Sequence, residues 1–253
     1  EHVTGGFNAA LERNYAVCMD EALFSGQKQA MDRLKSLITE PKITIEQKYE
    51  PRRSLVSIHR FFASSNHNHF GNIDIDDRRF VFCKVAEQFR GHYRYFKDLY
   101  NAINDPFQIS GMIEALKLRD ISNFNIRAKP KTKELLKQKL QSLNGFARYW
   151  YEVLCTGYLD IGGSMTPIIQ FDSLLGFVST RELDGYFRSF QNGTRQYQPI
   201  QSNEISFGLK KCCKSATKTR KFKHEVHERG YQLPSLISAR EEFENMIGDK
   251  IIW

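Results

Sequence analysis

The chain contains Tyr15-Ala16-Val17-Cys18-Met19-Asp20-Glu21, an apolar run that ends in two acids. This pattern predicts a buried strand with both acids at its carboxyl end. In open α/β sheets, that end is where ligands bind. In a nucleotide hydrolase the first acid would hold Mg²⁺, directly or through its waters, and the second would orient an attacking water. In an ordinary strand end, both acids would simply be solvated.

Two further elements follow in order. Residues 57–63 predict a second strand, and Asn66 follows it closely, so that an amide could reach the same sheet edge as the two acids. Farther along, Arg78 and Arg79 open a third predicted strand over residues 80–85. An arginine offers fixed, bidentate donors that suit phosphate oxygens. The alternative is a surface salt bridge with one of three nearby acids, Asp74, Asp76 and Asp77.

This order of motifs resembles the superfamily 3 helicases of viruses and phages. The likeness is greatest to the helicase half of phage and prophage primase-helicases, including the primase-polymerases of deep-sea vent phages. The resemblance implies an AAA+ type ATPase that uses ATP and Mg²⁺. It also implies a homo-oligomeric ring that assembles around single-stranded or forked DNA.

The resemblance also implies roles for individual residues. Asp20 and Glu21 match the Walker B acids, with Asp20 as the metal ligand. Asn66 matches the polar sensor that positions the γ-phosphate and the water. Arg78 and Arg79 lie where the family keeps the arginine finger that acts on the neighbouring subunit's ATP, and the sequence leaves open which of the two it is.

Between the first two predicted strands, residues 41–53 combine an apolar alternation with a basic turn, which predicts a hairpin. In the helicases that the chain resembles, such a hairpin projects into the central channel and grips the DNA backbone with a lysine near its tip. Lys48 fits that position, and Tyr49 beside it could stack on a base. Arg52 and Arg53 could add phosphate contacts. The alternative is an ordinary solvated hairpin.

One element of the family is missing from the sequence. No G-x-x-x-x-G-K-[ST] pattern occurs in the 253 residues, so the backbone cradle that holds ATP phosphates is not encoded here. In the family this loop lies upstream of the Walker B strand. The simplest interpretation is a fragment of a longer helicase. A second interpretation is a degenerate protein that kept its DNA-binding half.

Composition favours a protein that handles nucleic acid. There are 37 basic and 29 acidic residues, for a net charge of +8, and a pI near 9.2 favours polyanionic partners. No apolar run approaches the ~20 residues that cross a bilayer, so we expect no membrane partner. The five cysteines have no framework spacing. Their odd number fits reduced thiols in a cytoplasm, and the resemblance to phage proteins implies that this is the cytoplasm of a bacterial host cell.

Apolar periodicity predicts helices in the middle of the chain. An amphipathic helix is predicted over 87–104, a short helix around 109–118, and a long helix over about 132–154 whose aromatic residues pack as core. Together with these helices, the resemblance implies an α/β fold class, namely a partial AAA+ sheet with strands 3–5 plus a helical connector and a C-terminal winged helix. The expected domains are 1–100, 101–160 and 161–253, with a boundary loop at 162–164.

The C-terminal region has the order helix, helix, β-ribbon, which is the pattern of a winged helix. Ser179-Thr180-Arg181-Glu182 is a capping box that starts the first helix, and Asn203 precedes the second. Two short strands are predicted at 218–226 and 230–233. A last helix is predicted to run from Pro234 through Met246.

Residues 209–229 contain eight basic and two acidic residues, a net charge of +6. This charge lies on the predicted second helix and ribbon, where phosphate neutralisation would dominate binding with little sequence readout. The alternative is a solvated basic face with no ligand. The expected DNA-contacting residues are Lys210, Lys211, Lys214, Lys218, Arg220, Lys221 and Lys223.

Two metal-site hypotheses are weaker. A zinc site would draw four ligands from a short segment, Cys212, Cys213, His224 and His227. Adjacent cysteines point apart, however, and lack the two-residue spacer that zinc sites usually show. A two-metal nuclease would combine the acids at 20–21 with those at 76–77, but the asparagine and the arginine pair have no natural role in that scheme.

The sequence thus predicts part of a phage-type ATP-dependent DNA helicase that acts in DNA replication, with ATP hydrolysed between subunits. Enzymatic activity would belong to the intact protein, because this chain lacks a phosphate-binding loop. The rival hypothesis is a non-catalytic DNA-binding or loading module left from such an enzyme. In that case the C-terminal basic region would account for all of the binding.

Overall fold

The computed structural model describes Val3 and residues 8–21, 27–125, 128–160, 176–193, 203–223 and 226–253. Within these residues, eight α-helices and seven β-strands form two compact units. One unit comprises Glu1–Arg79 with Leu136–Trp253, and the other is Phe80–Leu135. The mixed α/β class is confirmed. The predicted domains 1–100, 101–160 and 161–253 are segments that we expect to fold independently, and this division stays a prediction.

The first part of the chain forms two pairs of strands beside one helix. Strand β1 (Ala16–Met19) pairs in parallel with β4 (Arg60–Ala63). Helix α1 (Lys28–Thr39) lies between them in sequence and buries three residues spaced three apart, Met31, Leu34 and Leu37. Strands β2 (Lys42–Ile45) and β3 (Arg53–Val56) form an antiparallel hairpin, as the sequence predicts.

Two predictions about this sheet are wrong. None of the four residues of β1 is buried: β4 is its single neighbour among the described strands, and Val17 packs only partly buried against the cluster that contains Leu11 and Leu37. The strand predicted at 80–85 does not form. A strand needs a hydrogen-bonded neighbour, and within the described residues no other strand pairs with this segment.

The unit Phe80–Leu135 is built around two helices. A 3₁₀ turn at Glu87–Phe89 precedes α2 (Tyr93–Ile103), and α3 (Pro106–Lys117) follows after a short turn. Asp105 caps α3, since its Oδ1 accepts from Phe107 N at 2.9 Å. Both helices were predicted, but neither contains a buried residue.

The long helix predicted at 132–154 is two helices, α4 (Lys133–Gln141) and α5 (Gly145–Thr156). The break falls at Asn144-Gly145, and Gly145 adopts a left-handed φ of +50° that favours glycine. The prediction that the aromatic end packs as core is confirmed, because Tyr149 and Trp150 are fully buried.

The C-terminal elements follow the order of a winged helix. After α5 come β5 (Phe177–Ser179), α6 (Thr180–Gly193), α7 (Glu204–Cys212), β6 (Thr217–Lys223), β7 (Val226–Gln232) and α8 (Leu236–Ile247). The three strands form an antiparallel sheet in the order β5-β7-β6, in which β6 and β7 make the ribbon. The boundary loop predicted at 162–164 lies outside the described residues.

The capping box predicted at 179–182 is confirmed. Glu182 N donates to Ser179 Oγ at 3.1 Å, and Ser179 N donates to Glu182 Oε2 at 2.9 Å. Below it, the rings of Phe146, Tyr149 and Phe187 meet with centroid separations of 5.5 to 5.6 Å. This aromatic cluster fixes α5 against α6 and supports the ribbon.

Candidate functional site

Parallel pairing brings the carboxyl ends of β1 and β4 to the same sheet edge. Ser64 N donates to Met19 O at 3.0 Å, and Ser64 Oγ donates to Asp20 Oδ1 at 2.5 Å. Glu21 follows in a left-handed conformation, with φ +49°, and its N–H also donates to Asp20 Oδ1 at 3.1 Å. The Asp20 carboxylate is thus oriented at one oxygen while it remains exposed to solvent.

Asn66 follows β4 by three residues and is exposed. Within the described part of the chain its side chain makes no hydrogen bond with Asp20 or Glu21. The structure therefore brings Asp20 and Ser64 together and leaves the predicted sensor outside this contact. Ser64 was not singled out from the sequence, although its place directly after the second strand was the available signal.

The two arginines have different surroundings. Arg79 N donates to Asp77 Oδ1 at 2.9 Å, and Arg79 Nη1 lies 3.4 Å from Asp77 Oδ2. The side chain of Asp77 is completely buried, so this ion pair is structural. Arg78 is exposed. The salt-bridge alternative thus describes Arg79, whereas Arg78 points a guanidinium toward solvent.

The hairpin between β2 and β3 presents a basic and aromatic tip. Lys48 Nζ lies 4.9 Å from the centroid of the Tyr49 ring, and Tyr49 is 91% exposed with a φ of +69°. Arg52 Nε pairs with Glu46 at 3.3 Å, and Arg53 Nη1 pairs with Glu12 at 2.9 Å. The charges of the two arginines are therefore compensated within the fold, whereas Lys48 forms no ion pair with any residue that the structure describes.

Asn8 anchors the base of this hairpin, a role that the sequence analysis missed. Its side chain is buried, its Nδ2 donates to Thr44 O at 2.9 Å, and its Oδ1 accepts from Glu46 N at 2.8 Å. Ile43 and Ile45 pack beneath the hairpin in a cluster with Leu11 and Leu37. No local sequence pattern indicates that Asn8 has this role, because its hydrogen-bond partners lie more than thirty residues away in the chain.

The C-terminal basic residues divide among three places. Lys210 and Lys211 lie on the exposed side of α7, next to Phe207, which is 70% exposed. Lys214 is exposed just after that helix. Lys218, Arg220, Lys221 and Lys223 lie along β6, where the Lys221 ammonium is 5.5 Å from the centroid of the Phe177 ring. The side chain of Lys223 lies outside the described residues.

The cysteines do not support the zinc hypothesis. Cys212 and Cys213 are buried in the C-terminal core, and burial raises the pKa of each thiol to about 12. Thiolates, the form that binds zinc, are therefore disfavoured. His224 lies outside the described residues, and within them no group of three or more His, Cys, Asp or Glu side chains forms a metal site.

Asp20 and Glu21, at the sheet edge where β1 ends, are carboxylates of the kind that bind a hydrated magnesium ion. Mg²⁺ keeps several waters and binds proteins through one or two carboxylates together with substrate phosphates. Asp20 and Glu21 are exposed and adjacent, which fits that role. A cradle for the phosphates is not encoded in the 253 residues.

Among the described helices, none has the length and apolar character to cross a bilayer.

Comparison with known proteins gives one sequence match and a structural likeness. The profile of a family described as Family of unknown function (DUF5906) matches residues 1–79. No curated protein matches the chain. The structure is similar to "The apo structure of NrS-1 C terminal region (305-718)", with 14% identity, a TM-score of 0.63 and coverage of 92% of this chain and 58% of that one. The A form apo structure of the same region gives 14% identity and a TM-score of 0.59 over 91% of this chain.

The likeness covers 92% of this chain. At 14% identity it is a likeness of fold alone. The chain spans less than two thirds of the length of these neighbours, covering 57% to 58% of them.

Proposed function

We propose that this chain is part of a phage-type DNA helicase, of the primase-helicase kind, that acts in DNA replication and hydrolyses ATP between subunits. Its fold is similar to that of the C-terminal region of NrS-1, a phage primase-helicase. The observation that carries the proposal is the parallel pair β1/β4, which presents Asp20 beside Ser64 while the intervening chain forms a hairpin with Lys48 and Tyr49 at its tip.

Asp20, Glu21 and Arg78 then have roles that their exposure supports, whereas the role of Asn66 rests on the resemblance alone. Asp20, oriented by Ser64, would hold the magnesium ion through its free oxygen, and Glu21 would orient the attacking water. ATP with Mg²⁺, when bound, supplies the phosphoryl group that is transferred to water. Arg78 is better suited than Arg79 to serve as the arginine finger, because it is exposed and not held by the buried Asp77. Asn66 would position the water or the γ-phosphate.

The hairpin supplies a contact to DNA. The Lys48 ammonium lies on the Tyr49 ring, and both side chains are exposed at the turn. A lysine attracts backbone phosphates regardless of sequence, and an exposed tyrosine ring can stack on any base. Arg52 and Arg53 contribute less in this proposal, because Glu46, Glu12 and Glu50 neutralise them.

The test is the ATPase activity of the gene product that contains these 253 residues, assayed with single-stranded DNA. We expect Asp20→Asn to lower kcat by on the order of a hundred-fold or more, and Arg78→Ala by roughly a thousand-fold. Asp98→Asn, which removes an exposed carboxylate of α2, is the matched control and should leave kcat unchanged. A mixture of the Asp20→Asn and Arg78→Ala proteins should regain activity, since each supplies the part that its neighbour lacks.

The second candidate is a non-catalytic DNA-binding or loading module, which the density of basic residues on α7 and the ribbon favours. Under that hypothesis the Asp20→Asn and Arg78→Ala proteins bind DNA as the unmodified protein does, and none of the three hydrolyses ATP. Activity that survives both substitutions would refute the assignment of these residues. Restored activity in the mixture would exclude the loading module.

A further inference from the structure

The two faces of the β6–β7 ribbon differ in charge. Because directly opposed residues of an antiparallel pair share a face, the register assigns every described position. On one face Lys221 is opposite Glu228, so this pair is neutral, and Lys223 is opposite Val226. On the other face Arg220 is directly opposite Arg229. We call this second face the arginine face; its described positions are Lys218, Tyr231, Arg220, Arg229, Phe222 and His227.

The arginine face carries uncompensated positive charge. Like charges directly opposite each other on a sheet are unfavourable. None of the six described positions is acidic, and among the described residues neither Arg220 nor Arg229 forms an ion pair. An anion between the two guanidinium groups would remove the repulsion, and phosphate suits their planar donors.

A groove of about 920 Å³ adjoins this face. It is lined by Lys218, Arg220 and Arg229 from the ribbon and by Arg181 and Ser206 from the first turns of α6 and α7. The amino ends of helices favour anions, so they add to the arginine charge. Two acids also line the groove: Asp184 of α6, which pairs with Arg188 at 2.7 Å, and Glu228, which is opposite Lys221 on the ribbon.

Farther along the ribbon, the arginine face ends in an aromatic pair. The Phe222 and His227 rings are opposite each other, with centroids 5.1 Å apart in an edge-to-face arrangement. Phe222 is 66% exposed, so it contributes little to the core. Phe222 is the next residue after Arg220 on the same face of β6, and alternate positions on one face of a strand lie ~7 Å apart. This distance is similar to the distance between a backbone phosphate and the adjacent base.

We infer that the arginine face is a binding site for single-stranded DNA, in which Arg220 and Arg229 hold a backbone phosphate and Phe222, with His227 behind it, stacks on the adjacent unpaired base. The inference rests on the proposed function only in taking DNA as the partner. It adds Arg229, Phe222 and His227 to the residues expected from the sequence. It also separates Arg220 from Lys221, which the sequence presents as equivalent.

The test is the affinity of the whole chain for a fluorescently labelled 20-residue oligothymidylate, measured by anisotropy at several NaCl concentrations without ATP. The double substitution Arg220→Ala/Arg229→Ala should reduce the slope of log K against log salt by ~0.7, the value for one phosphate on a single strand, and each single substitution should reduce it by part of that amount. Lys221→Ala is the matched control, because it removes one charge from the opposite face, and it should leave the slope unchanged.

Phe222→Ala should weaken binding to the oligothymidylate roughly ten-fold without changing the salt slope, because stacking releases no counterions. Phe222→Tyr keeps the ring and should bind normally. Phe107→Ala, which removes an exposed ring from α3, is the aromatic control. A 20-base-pair duplex should bind Phe222→Ala as it binds the unmodified protein.

Two results would overturn the inference. Equal slope changes for Arg220→Ala and Lys221→Ala would mean that the two faces bind alike. An equal effect of Phe222→Ala on single strand and duplex, or no effect on either, would remove the stacked base. Because these assays contain no ATP and leave Asp20 and Arg78 intact, either failure is separate from a failure of the proposed ATPase.

Discussion

Two helical pairs in this chain have amphipathic patterns but different surroundings. In the C-terminal part, α5 and α6 place Tyr149, Trp150 and Phe187 where each side chain is 0% exposed. In the unit Phe80–Leu135, α2 and α3 bury no residue, and Tyr93 and Phe107 are 86% and 89% exposed. Apolar periodicity therefore predicts which face of a helix is apolar, but it does not predict which other element, if any, packs against that face.

The difference in burial between the two helical pairs has a consequence for stability. Apolar burial contributes most of the favourable free energy of folding, so the described part of residues 136–253 should dominate the stability that unfolding experiments measure. The α2–α3 pair should contribute little, since its apolar side chains remain in contact with water. Both tryptophans, Trp150 and Trp253, lie in the well-packed region, so their fluorescence reports on it selectively.

The largest expected effect comes from opening the aromatic cluster. Phe187→Ala should lower the free energy of unfolding by about 3–5 kcal/mol, because it leaves a cavity between the rings of Phe146 and Tyr149. Phe107→Ala should change it by less than about 0.5 kcal/mol, as is usual for exposed positions. Urea titration followed by tryptophan fluorescence measures both. A cost above about 2 kcal/mol for Phe107→Ala would mean that a partner covers α3 in solution.

The next effect concerns a buried carboxylate that ties down the C-terminal tail. Glu244 Oε1 accepts from Ile251 N at 3.1 Å and from Trp253 Nε1 at 2.9 Å, and Oε2 accepts from Lys250 Nζ at 2.8 Å. Burial alone would raise the pKa of this carboxyl, but the hydrogen bonds from Lys250, Ile251 and Trp253 outweigh it and lower the pKa. No polar or charged residue in the described part of 80–135 is buried in this way.

A lowered pKa in the folded state predicts the direction of the pH dependence. The stabilisation is fully present above the unfolded glutamate pKa of about 4.3 and is lost as pH falls through the lower folded value. Glu244→Gln should cost about 1 kcal/mol at pH 7, and this difference from the unmodified protein should shrink as pH drops below 4.3. Unfolding free energies between pH 3 and 7 measure it. Glu241→Gln, at an exposed position of α8, should show no such convergence.

Some features of the fold followed from local chemistry. The strand that ends just before Asp20, the hairpin around Lys48 and the capping box of α6 each have a sequence pattern made of residues close together in the chain. The break between α4 and α5 had a local signal too, since Asn144-Gly145 is a turn dipeptide. The three residues of β5 were too short for an alternation pattern to reveal.

Other features depend on contacts between distant residues, which sequence patterns do not contain. The segment 80–85 has the composition of a strand, but it has no neighbouring strand among the described residues. The candidate site shows the same limit. Arg53 has basic character in any sequence analysis, yet its charge is cancelled by Glu12, forty-one positions away. Strand alternation alone places Arg220 and Lys221 on opposite faces, but only the register with β7 shows that Arg220 is opposite Arg229 and Lys221 is opposite Glu228.

The smallest expected effect comes from removing one helix cap in each region, that of α6 in the C-terminal part and that of α3 in the unit Phe80–Leu135. Ser179→Ala breaks the capping box of α6 and should lower the free energy of unfolding by about 1 kcal/mol in the tryptophan-detected transition. Asp105→Ala breaks the equivalent cap of α3, yet it should leave that transition unchanged, because α3 buries nothing that the tryptophans report. Its effect should instead be local, as faster hydrogen exchange of the amides at Phe107 and Ile109, whose N–H groups bond to Asp105. If both substitutions shifted the tryptophan transition equally, the two helical pairs would unfold as one cooperative unit, and the exposed apolar side chains of α2 and α3 would have to be covered in solution.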